Sequence, residues 1–408
     1  MSEAPQFRTG DQTLVREINL SLIMNRLHSR APVSRAALAA MTGLNKSTVS
    51  SLVNELIERQ FVHEIGVVST GVGRPSVQLT LNPQAGYIVS VEIGVGYLAA
   101  ICADFTANLL WTCNEPVAPE ADQQAVLDHV VKLLREAIRQ GGRAMPGHKV
   151  LGMAIGVPGL VNKGNGKLLF APNLGWRDVA ICAHLRKAFP DTPIFVDNEA
   201  NMAALGEYFF GAAQDHDEVL YISGAGVGLG GAMVRNGQVI RGATGFAGEF
   251  GHMTLYPDGE LCRCGNRGCW ETEVNQTAVT RHLRKAIQRG QKTVLRENDL
   301  SIQVVIAAAK KGDRVARTML ENIGQALGTG TASLVNALNP DLVLFGGTLS
   351  LASEFLIPVI QRELHERAVK WGAETVPVRA ARHGSQACVM GGVAAVYQNI
   401  LSQPSGAG

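Results

Sequence analysis

Apolar residues near the start of the chain recur at intervals of three and four, the spacing of an amphipathic helix. They are Leu20, Ile23, Met24 and Leu27. Pro32 breaks this pattern, and Ser34 then offers an N-cap for a short second helix that runs to Met41. A tight turn with a glycine follows at residues 42–44. The pattern therefore predicts two helices that lead through a short turn into a third element.

A third helix is predicted after Asn45, which is a suitable cap, and the two faces of this helix differ in composition. The apolar face consists of Val49, Leu52, Val53, Leu56 and Ile57. The outward face consists of Lys46, Ser47, Thr48, Ser50, Ser51 and Asn54. These side chains are mostly small and polar, and no acidic residue of the helix precedes Glu55. Such a face suits a helix that enters the major groove of DNA.

Two predicted strands form a β-hairpin after this helix. The first covers residues 61–65, and Val77, Leu79 and Leu81 alternate along the second. The glycine-rich tip between them carries Arg74, which can reach a minor groove or a phosphate. A plain structural ribbon is the alternative, but a hairpin after a helix-turn-helix is typical of a winged DNA-binding domain. We predict such a domain over residues 1–83, with DNA contacts from Arg35, Asn45, Lys46, Ser47, Thr48, Ser50, Ser51 and Arg74.

The distribution of charge agrees with a DNA-binding N-terminus. The whole chain carries a formal net charge of only +2. Residues 1–83 contain eight Lys and Arg against six Asp and Glu, and 8 − 6 = +2 accounts for all of it. No acidic residue occurs from Ile18 to Asn54. The basic residues in that window are Arg26, Arg30, Arg35 and Lys46. A solvated helical surface is the alternative interpretation of this basic face.

After Pro83 the pattern changes to alternating strands and helices. Predicted strands cover residues 87–93, 97–104, 150–157, 193–196, 219–223, 230–234 and 342–345. Predicted helices cover residues 123–140 and 200–209, and helices dominate residues 274–338. Hydrophobic residues make up 46% of the 408 residues and glycine numbers 45, which is typical of a globular α/β protein. Two similar glycine-turned halves predict a two-lobed fold with a cleft between the lobes.

Three of the seven cysteines lie close together beside a histidine, in the spacing His252-x9-Cys262-x-Cys264-x4-Cys269. One imidazole and three thiolates form a set that Zn²⁺ binds tetrahedrally, and a closed set of four protein ligands is structural. An odd number of cysteines and no signal peptide argue against a secreted disulfide framework. No apolar run reaches the ~18 residues that span a bilayer. We therefore expect a cytoplasmic protein with a structural zinc ion and no membrane segment.

The glycine-turned hairpins, the segment 196–207 and the His/Cys cluster together resemble the ROK family (repressor, open reading frame, kinase) over nearly the whole chain. The winged helix resembles the regulator branch of that family rather than its free-standing kinases. Within that branch, residues 198–201 and 264–271 are most similar to xylose repressors. The resemblance implies an actin/hexokinase-like fold of two lobes. The first lobe is expected at 84–204, completed by a helix near 387–401, and the second at 205–386 with the zinc loop 252–269.

The resemblance also implies sugar-binding residues in the cleft. They are Asn198, Glu199, Glu249, His252 and Glu271, with Asn173 as a weaker candidate. Carboxylates and amides accept and donate hydrogen bonds in the fixed positions that sugar hydroxyls require. One ring nitrogen of His252 would bind zinc while the other faces the sugar. A solvated surface charge is the alternative for any one of these carboxylates, and Trp176 belongs either to the cleft wall or to the core.

Three motifs of a ROK kinase are altered in this sequence, which favours binding without phosphorylation. Glu199 occupies the position of the catalytic aspartate, and its additional methylene moves the carboxylate by more than ~1 Å, which can cost ~10²-fold in rate. The first phosphate loop reads Glu92-Ile93-Gly94-Val95-Gly96-Tyr97 in place of Asp-x-Gly-Gly-Thr. The second reads Gly224-Ala225-Gly226 in place of Gly-Thr-Gly. We predict that the chain is not an enzyme.

The sequence thus favours a repressor that binds operator DNA and is released by a sugar effector, with xylose as the first choice. We expect a homodimer or homotetramer, because paired half-sites require paired recognition helices. The rival hypothesis is an ATP-dependent sugar kinase with an appended DNA-binding domain. A third hypothesis is an activator, or a repressor whose partner is a phosphocarrier protein. The operator, the sign of regulation, the choice among aldoses and any surviving ATP binding stay open.

Overall fold

A winged helix-turn-helix forms the N-terminal part of the computed structural model, which describes residues 11–68, 76–118, 121–224 and 228–407. Its elements are α1 (Gln12–Arg30), β1 (Val33–Ser34), α2 (Arg35–Thr42), α3 (Lys46–Glu58), β2 (Val62–Val68) and β3 (Ser76–Leu81). The strands form an antiparallel sheet in the order β1-β3-β2. The predicted helices, turn and hairpin are confirmed.

The ends of these three helices are fixed by the residues that the sequence places there. Asp11, Ser34 and Asn45 each accept a hydrogen bond from the backbone N–H three residues later, which satisfies a helix donor that would otherwise lack a partner. Gly43 follows α2 with a φ of 72°, a left-handed conformation that glycine adopts without strain. The short turn between α2 and α3 is therefore determined locally.

A mixed sheet forms the first of two larger layers. The chain runs through β4 (Tyr87–Gly94), β5 (Tyr97–Asp104), β6 (Leu109–Pro116), α4 (Gln123–Ala144), β7 (Val150–Val157), β8 (Leu160–Asn162), β9 (Lys167–Ala171), β10 (Trp176–Val179), α5 (Ile181–Arg186) and β11 (Ile194–Asn198). The strand order among the described residues is β11-β7-β4-β5-β6, while β8, β9 and β10 pair separately. Because β4, β7 and β11 are parallel, their carboxyl ends meet at one edge.

A second mixed sheet and most of the helices form the rest of the chain. The elements are α6 (Glu199–Phe210), β12 (Glu218–Gly224), β13 (Leu229–Arg235), β14 (Gln238–Val239), α7 (Glu271–Val274), α8 (Gln276–Gln288), α9 (Ile302–Lys310), α10 (Arg314–Leu338), β15 (Leu342–Gly347), α11 (Ser353–Arg367), α12 (Lys370–Thr375), β16 (Val378–Ala380) and α13 (Ala387–Ser402). The described strands follow the order β14-β13-β12-β15-β16. The predicted two-lobed α/β architecture is confirmed. None of the described helices is both long and apolar enough to cross a membrane.

The C-terminal helix α13 joins the first sheet to α6 and to the winged helix. A Cβ atom added at Gly206 of α6 would lie 2.7 Å from the amide nitrogen of Gly391 in α13, so the two helix backbones touch. One buried core contains residues of α1, α3, α6 and α13, among them Leu20, Met24, Leu56, Met202, Leu205, Val393 and Ile400. The winged helix is therefore packed against the two-lobed body through a shared core.

Candidate ligand cleft and metal centre

A cavity of about 470 Å³ opens where the carboxyl ends of β4, β7 and β11 meet the second lobe. All six residues that were predicted to bind sugar line it: Asn173, Asn198, Glu199, Glu249, His252 and Glu271. Glu92, Tyr97 and Phe170 also line the cavity. The sequence placed Glu92 and Tyr97 in the altered first phosphate loop and assigned none of the three to the sugar. Trp176 is only 7% exposed and belongs to the core of the first lobe.

The rim of the cavity, formed by Glu249, His252 and Glu271, presents polar groups within reach of solvent. Nε2 of His252 is 3.9 Å from Oε2 of Glu249, and Nδ1 is 3.8 Å from Oε1 of Glu271. Burial raises the pKa of Glu249, and the neighbouring His252 opposes that shift. The two carboxyl groups therefore flank the imidazole, in an arrangement that can accept hydrogen bonds from ligand hydroxyls.

His252 and three cysteines form a compact cluster next to the rim. The ligand atoms of His252, Cys262, Cys264 and Cys269 all lie within 4.8 Å of one another. The sulfur atoms of Cys264 and Cys269 are 3.6 Å apart, and Sγ of Cys262 is 3.7 Å from Nδ1 of His252. A tetrahedral site with bonds of about 2.3 Å has edges of about 3.8 Å. The four side chains therefore have the spacing of a closed tetrahedral metal centre.

The loop that carries this cluster is held by its backbone. The N–H of Cys262 donates to the carbonyl of Asn266 over 2.8 Å. Gly268 has a φ of 65°, and an added Cβ there would lie 1.5 Å from the carbonyl oxygen of Tyr256, so only glycine fits. Burial raises the pKa of the Cys262 and Cys269 thiols, which disfavours their thiolates unless a metal cation replaces the protons.

The floor of the cavity is formed by Glu92, which is buried, and by Tyr97 and Glu199, which are half-buried, so it contains two acids. The hydroxyl of Tyr97 donates to Oε1 of Glu92 over 2.6 Å. Burial raises the pKa of Glu92 to about 7, although the hydrogen bond from Tyr97 opposes the shift. Burial also raises the pKa of Glu199 to about 8, and the nearby Glu92 carboxyl adds to that shift. Oε2 of each acid is buried and has no partner among the described residues, so both oxygens are available to a ligand or to water.

Tyr97 also covers the first glycine loop. A Cβ added at Gly94 would lie 2.2 Å from the ring of Tyr97, so the ring rests directly on the backbone there. The sequence did contain a signal for this floor, because Glu92 is the one acid in the mostly apolar strand β4. A buried acid in such a strand is a candidate for a functional site.

The two asparagines of the cavity already have partners within the chain. Oδ1 of Asn198 accepts from the N–H of Ala200 over 2.8 Å, and its Nδ2 donates to the carbonyl of Gly159 over 3.0 Å. Oδ1 of Asn173 accepts from Arg263 over 3.2 Å. Asn198 thus begins helix α6, and Asn173 links the first lobe to the metal loop.

The predicted DNA-contact residues fall into two groups. Exposed or half-buried on α3 are Lys46, Ser47, Thr48, Ser50 and Ser51. Arg35 instead pairs with Oε1 of Glu64 at 2.7 Å and donates to Oδ1 of Asn54 over 3.0 Å, while Asn45 caps α3. These contacts tie α2, α3 and the hairpin together. The predicted contact Arg74 lies outside the described residues.

Known proteins resemble this chain over nearly all of its length. The ROK family profile matches residues 88–399, and the IclR helix-turn-helix profile matches residues 23–66. The xylose repressor of Bacillus subtilis (strain 168) is 33% identical over 396 residues, which cover 96% of this chain and 98% of that protein.

Two solved structures match different lengths of the chain. A ROK family transcriptional regulator, a homologue of the E. coli MLC protein, matches with a TM-score of 0.82 and 29% identity over 95% of this chain and 97% of its own. A ROK family glucokinase from Streptomyces griseus, solved with glucose and AMPPNP, matches with a TM-score of 0.65 and 30% identity. That match covers 76% of this chain and 98% of the glucokinase. The regulator therefore matches a larger part of this chain than the kinase does.

Proposed function

Because this chain belongs to the ROK family and carries a winged helix-turn-helix, we propose that it is a sugar-responsive transcriptional repressor. The observation that carries the proposal is that one cavity is lined by all six residues predicted to bind sugar, in a protein whose α3 presents an exposed polar face. An aldose in the cavity releases the protein from operator DNA. Xylose is the first choice of aldose, since a xylose repressor matches nearly the whole chain.

In this proposal the rim and the cavity walls divide the recognition of the sugar. Glu249 and Glu271 accept hydrogen bonds from hydroxyl groups, and Nε2 of His252 points to the same space. Phe170 supplies an apolar surface for the sugar ring. Asn198 and Asn173 add amide groups whose positions are already fixed by their contacts within the chain.

We also propose a structural zinc ion in the cluster of His252, Cys262, Cys264 and Cys269. Support comes from the close spacing of the four ligand atoms and from the donor set of three thiols and one imidazole. A closed set of this kind leaves no open position for a substrate, so zinc would hold the loop in shape and supply no chemistry. Nδ1 of His252 faces the sulfur of Cys262, which leaves Nε2 for the sugar.

Operator binding in this proposal requires a symmetric oligomer. One α3 reads one half-site, and two half-sites on one face of DNA need two copies of the helix. We propose a homodimer or a homotetramer on that ground.

A sugar kinase with an appended DNA-binding domain is the second candidate, because the glucokinase match covers both lobes. Two features of the floor argue against it. The Tyr97 ring rests on Gly94, where a phosphate loop needs open backbone, and the Tyr97 hydroxyl is engaged by Glu92. Glu199 occupies the position of the catalytic base with a longer side chain than aspartate.

The test combines thermal unfolding with DNA release. The zinc-loaded protein is heated with D-xylose, D-glucose or N-acetylglucosamine, each with and without Mg-ATP, because a ligand of the native state raises the midpoint. A DNA fragment that the protein itself selects from a random pool is then titrated in the presence of each sugar. We expect one aldose to raise the midpoint and release the DNA, with no further rise from Mg-ATP.

Other outcomes would select other functions. A further rise with Mg-ATP, together with sugar-dependent ADP formation, would favour the kinase. DNA binding that no sugar changes would contradict the proposal and favour a protein partner as the signal.

A further inference from the structure

Helix α6 connects the cavity to the winged helix in one continuous element. It begins at Asn198 and Glu199, which line the cavity, and it ends at Phe209 and Phe210. Its 12 residues span about 18 Å at a rise of 1.5 Å per residue. A displacement at its first turn is therefore transmitted along a single rigid helix to its last turn.

Helices α6 and α13 form one mechanical unit. A Cβ added at Gly391 would lie 1.7 Å from the carbonyl oxygen of Met202, and one added at Gly206 would lie 2.7 Å from the amide nitrogen of Gly391. The helices thus cross in direct backbone contact, with no flexible side chain between them. A Cβ at Gly392 would lie 2.0 Å from Oγ of Ser90, so α13 also rests on β4, the strand that carries Glu92.

The far end of this unit meets α1 in an aromatic joint formed by His28, Phe209 and Tyr397. The centroid of the His28 ring is 5.3 Å from that of Phe209 and 5.3 Å from that of Tyr397. Nδ1 of His28 and the hydroxyl of Tyr397 share a hydrogen bond of 2.8 Å. Burial lowers the pKa of His28 to about 4, so the joint is uncharged at neutral pH.

The opposite side of the joint is open. A crevice of about 520 Å³ borders His28 and Phe209, and its lining includes Asn25, Gln214 and Gln398. Amide and hydroxyl groups dominate this lining, so water can fill it without loss of hydrogen bonds. One side of α1 therefore packs against the aromatic joint, and the other faces the polar crevice. Water in the crevice can fill the space that a small shift of α1 would open.

We propose that α6 and α13 act as one lever, and that Phe209 and Tyr397 are positioning residues that transmit the sugar signal to α1. The inference rests on the proposed function and names the route of its regulation. A sugar that binds at Glu199 shifts α6 and α13 together, and the contacts of the aromatic joint then shift α1 and, with it, α3. The coupling exists only if the joint has different contacts in the sugar-bound and DNA-bound states.

The test measures coupling separately from binding. Tyr397→Phe keeps the ring and removes the hydrogen bond to His28, and Phe209→Leu removes the ring contact. For each variant we measure the Kd for sugar with and without DNA, and the Kd for DNA with and without sugar. Linkage requires the two ratios to agree, and about 5- to 150-fold is expected for the unchanged protein.

We expect both variants to keep the sugar Kd of the DNA-free protein within about twofold, while the coupling ratio falls by about threefold or more. Tyr87→Phe is the matched control, because it removes the hydroxyl of another buried tyrosine that donates to Ile138 over 3.3 Å, away from the joint. That variant should retain the full ratio.

The possible failures are distinguishable. An unchanged protein whose DNA binding ignores sugar would overturn the proposed function, and the lever with it. If the unchanged protein responds normally to sugar and both Tyr397→Phe and Phe209→Leu have the same coupling ratio as the unchanged protein, only the lever would be overturned. Equal loss in Tyr87→Phe would do the same, since it would show a general effect of lost stability.

Discussion

The rim and the floor bound the same cavity, yet they differ in almost every physical property. The rim groups Glu249 and His252 are partly open to solvent, and His252 also belongs to the compact cluster with three cysteines. Of the floor acids, Glu92 is buried and Glu199 is half-buried with an inaccessible Oε2, and burial raises the pKa of each to near or above neutral pH. In the proposed function the rim binds the sugar hydroxyls, whereas a kinase would place its phosphoryl chemistry at the floor. Because the two sets of residues are different, substitutions at the floor and at the rim can be tested separately.

Loss of the proposed zinc ion should have the largest effect on this comparison, because in the proposed function zinc holds the loop beside the rim in shape. Cys264→Ser exchanges the exposed sulfur of the cluster, so the substitution does not disturb the core. We expect the bound zinc to be lost and the aldose affinity to fall by about 100-fold, whereas the sugar-free protein should still bind DNA. Metal analysis and calorimetry measure the first two quantities.

The matched control is Cys113→Ser, which changes a partly buried thiol of β6 outside the cluster. Loss of zinc with full aldose affinity in Cys264→Ser would show that the rim needs no metal, and full zinc content would show that Cys264 is not a required ligand.

A single rim carboxylate should have an intermediate effect. Glu249→Gln keeps the size of the side chain and removes its charge. We expect the aldose affinity to fall by about 10- to 100-fold, because hydrogen bonds to charged groups contribute about 1.5–3 kcal/mol. Isothermal titration calorimetry measures the change. Asp258→Asn is the control, since Asp258 is an exposed acid of the same loop that does not line the cavity. An equal loss in both variants would mean that only net charge matters.

The floor acids should affect the pH dependence of stability more than the affinity for sugar. Its acids have raised pKa values of about 7 and about 8, so the folded protein retains protons that the unfolded chain releases above about pH 4.5. The contribution of these two acids to the free energy of unfolding is therefore most favourable below about pH 4.5, and it becomes less favourable as the pH rises toward 8. We expect a decline of up to a few kcal/mol, and Glu199→Gln should flatten it.

The useful window for that measurement is pH 6.5 to 8. Burial lowers the pKa of His28 to about 4, which costs stability only below pH 6.5 and so has the opposite slope. Denaturant unfolding at several pH values in the window gives the slope directly. An equal slope in the protein with and without Glu199→Gln would contradict the buried, protonated floor.

Local signals in the sequence were sufficient for the winged helix and for the cluster of His252 and three cysteines. The caps Ser34 and Asn45 begin the predicted helices because each cap bonds to its own first turn. The cysteines of the loop come together because a short loop with left-handed glycines leaves them few other positions. In both cases the interacting residues are close in sequence, so pattern and distance agree.

Other contacts, some local and some between distant segments, could not be predicted in this way. The Tyr97 ring on Gly94 depends on how one hairpin closes, and the sequence showed only an altered loop. The capping role of Asn198 competes with its predicted role toward sugar, and only the geometry shows that one amide serves the helix. The crossing of Gly206 and Gly391 joins segments far apart in the chain, where no pattern in either predicts the other.

The shared core between the winged helix and the body has a consequence for protein engineering. Many regulators can be rebuilt as chimaeras in which one DNA-binding module is exchanged for another. Here a graft at residue 83 would separate aromatic rings that pack together. The ring centroid of Phe105 lies 5.4 Å from that of Phe61 and 5.1 Å from that of Tyr397. To change the DNA specificity of a biosensor made from this scaffold, residues on the exposed face of α3 would have to be substituted, with α1 and the aromatic contacts kept unchanged.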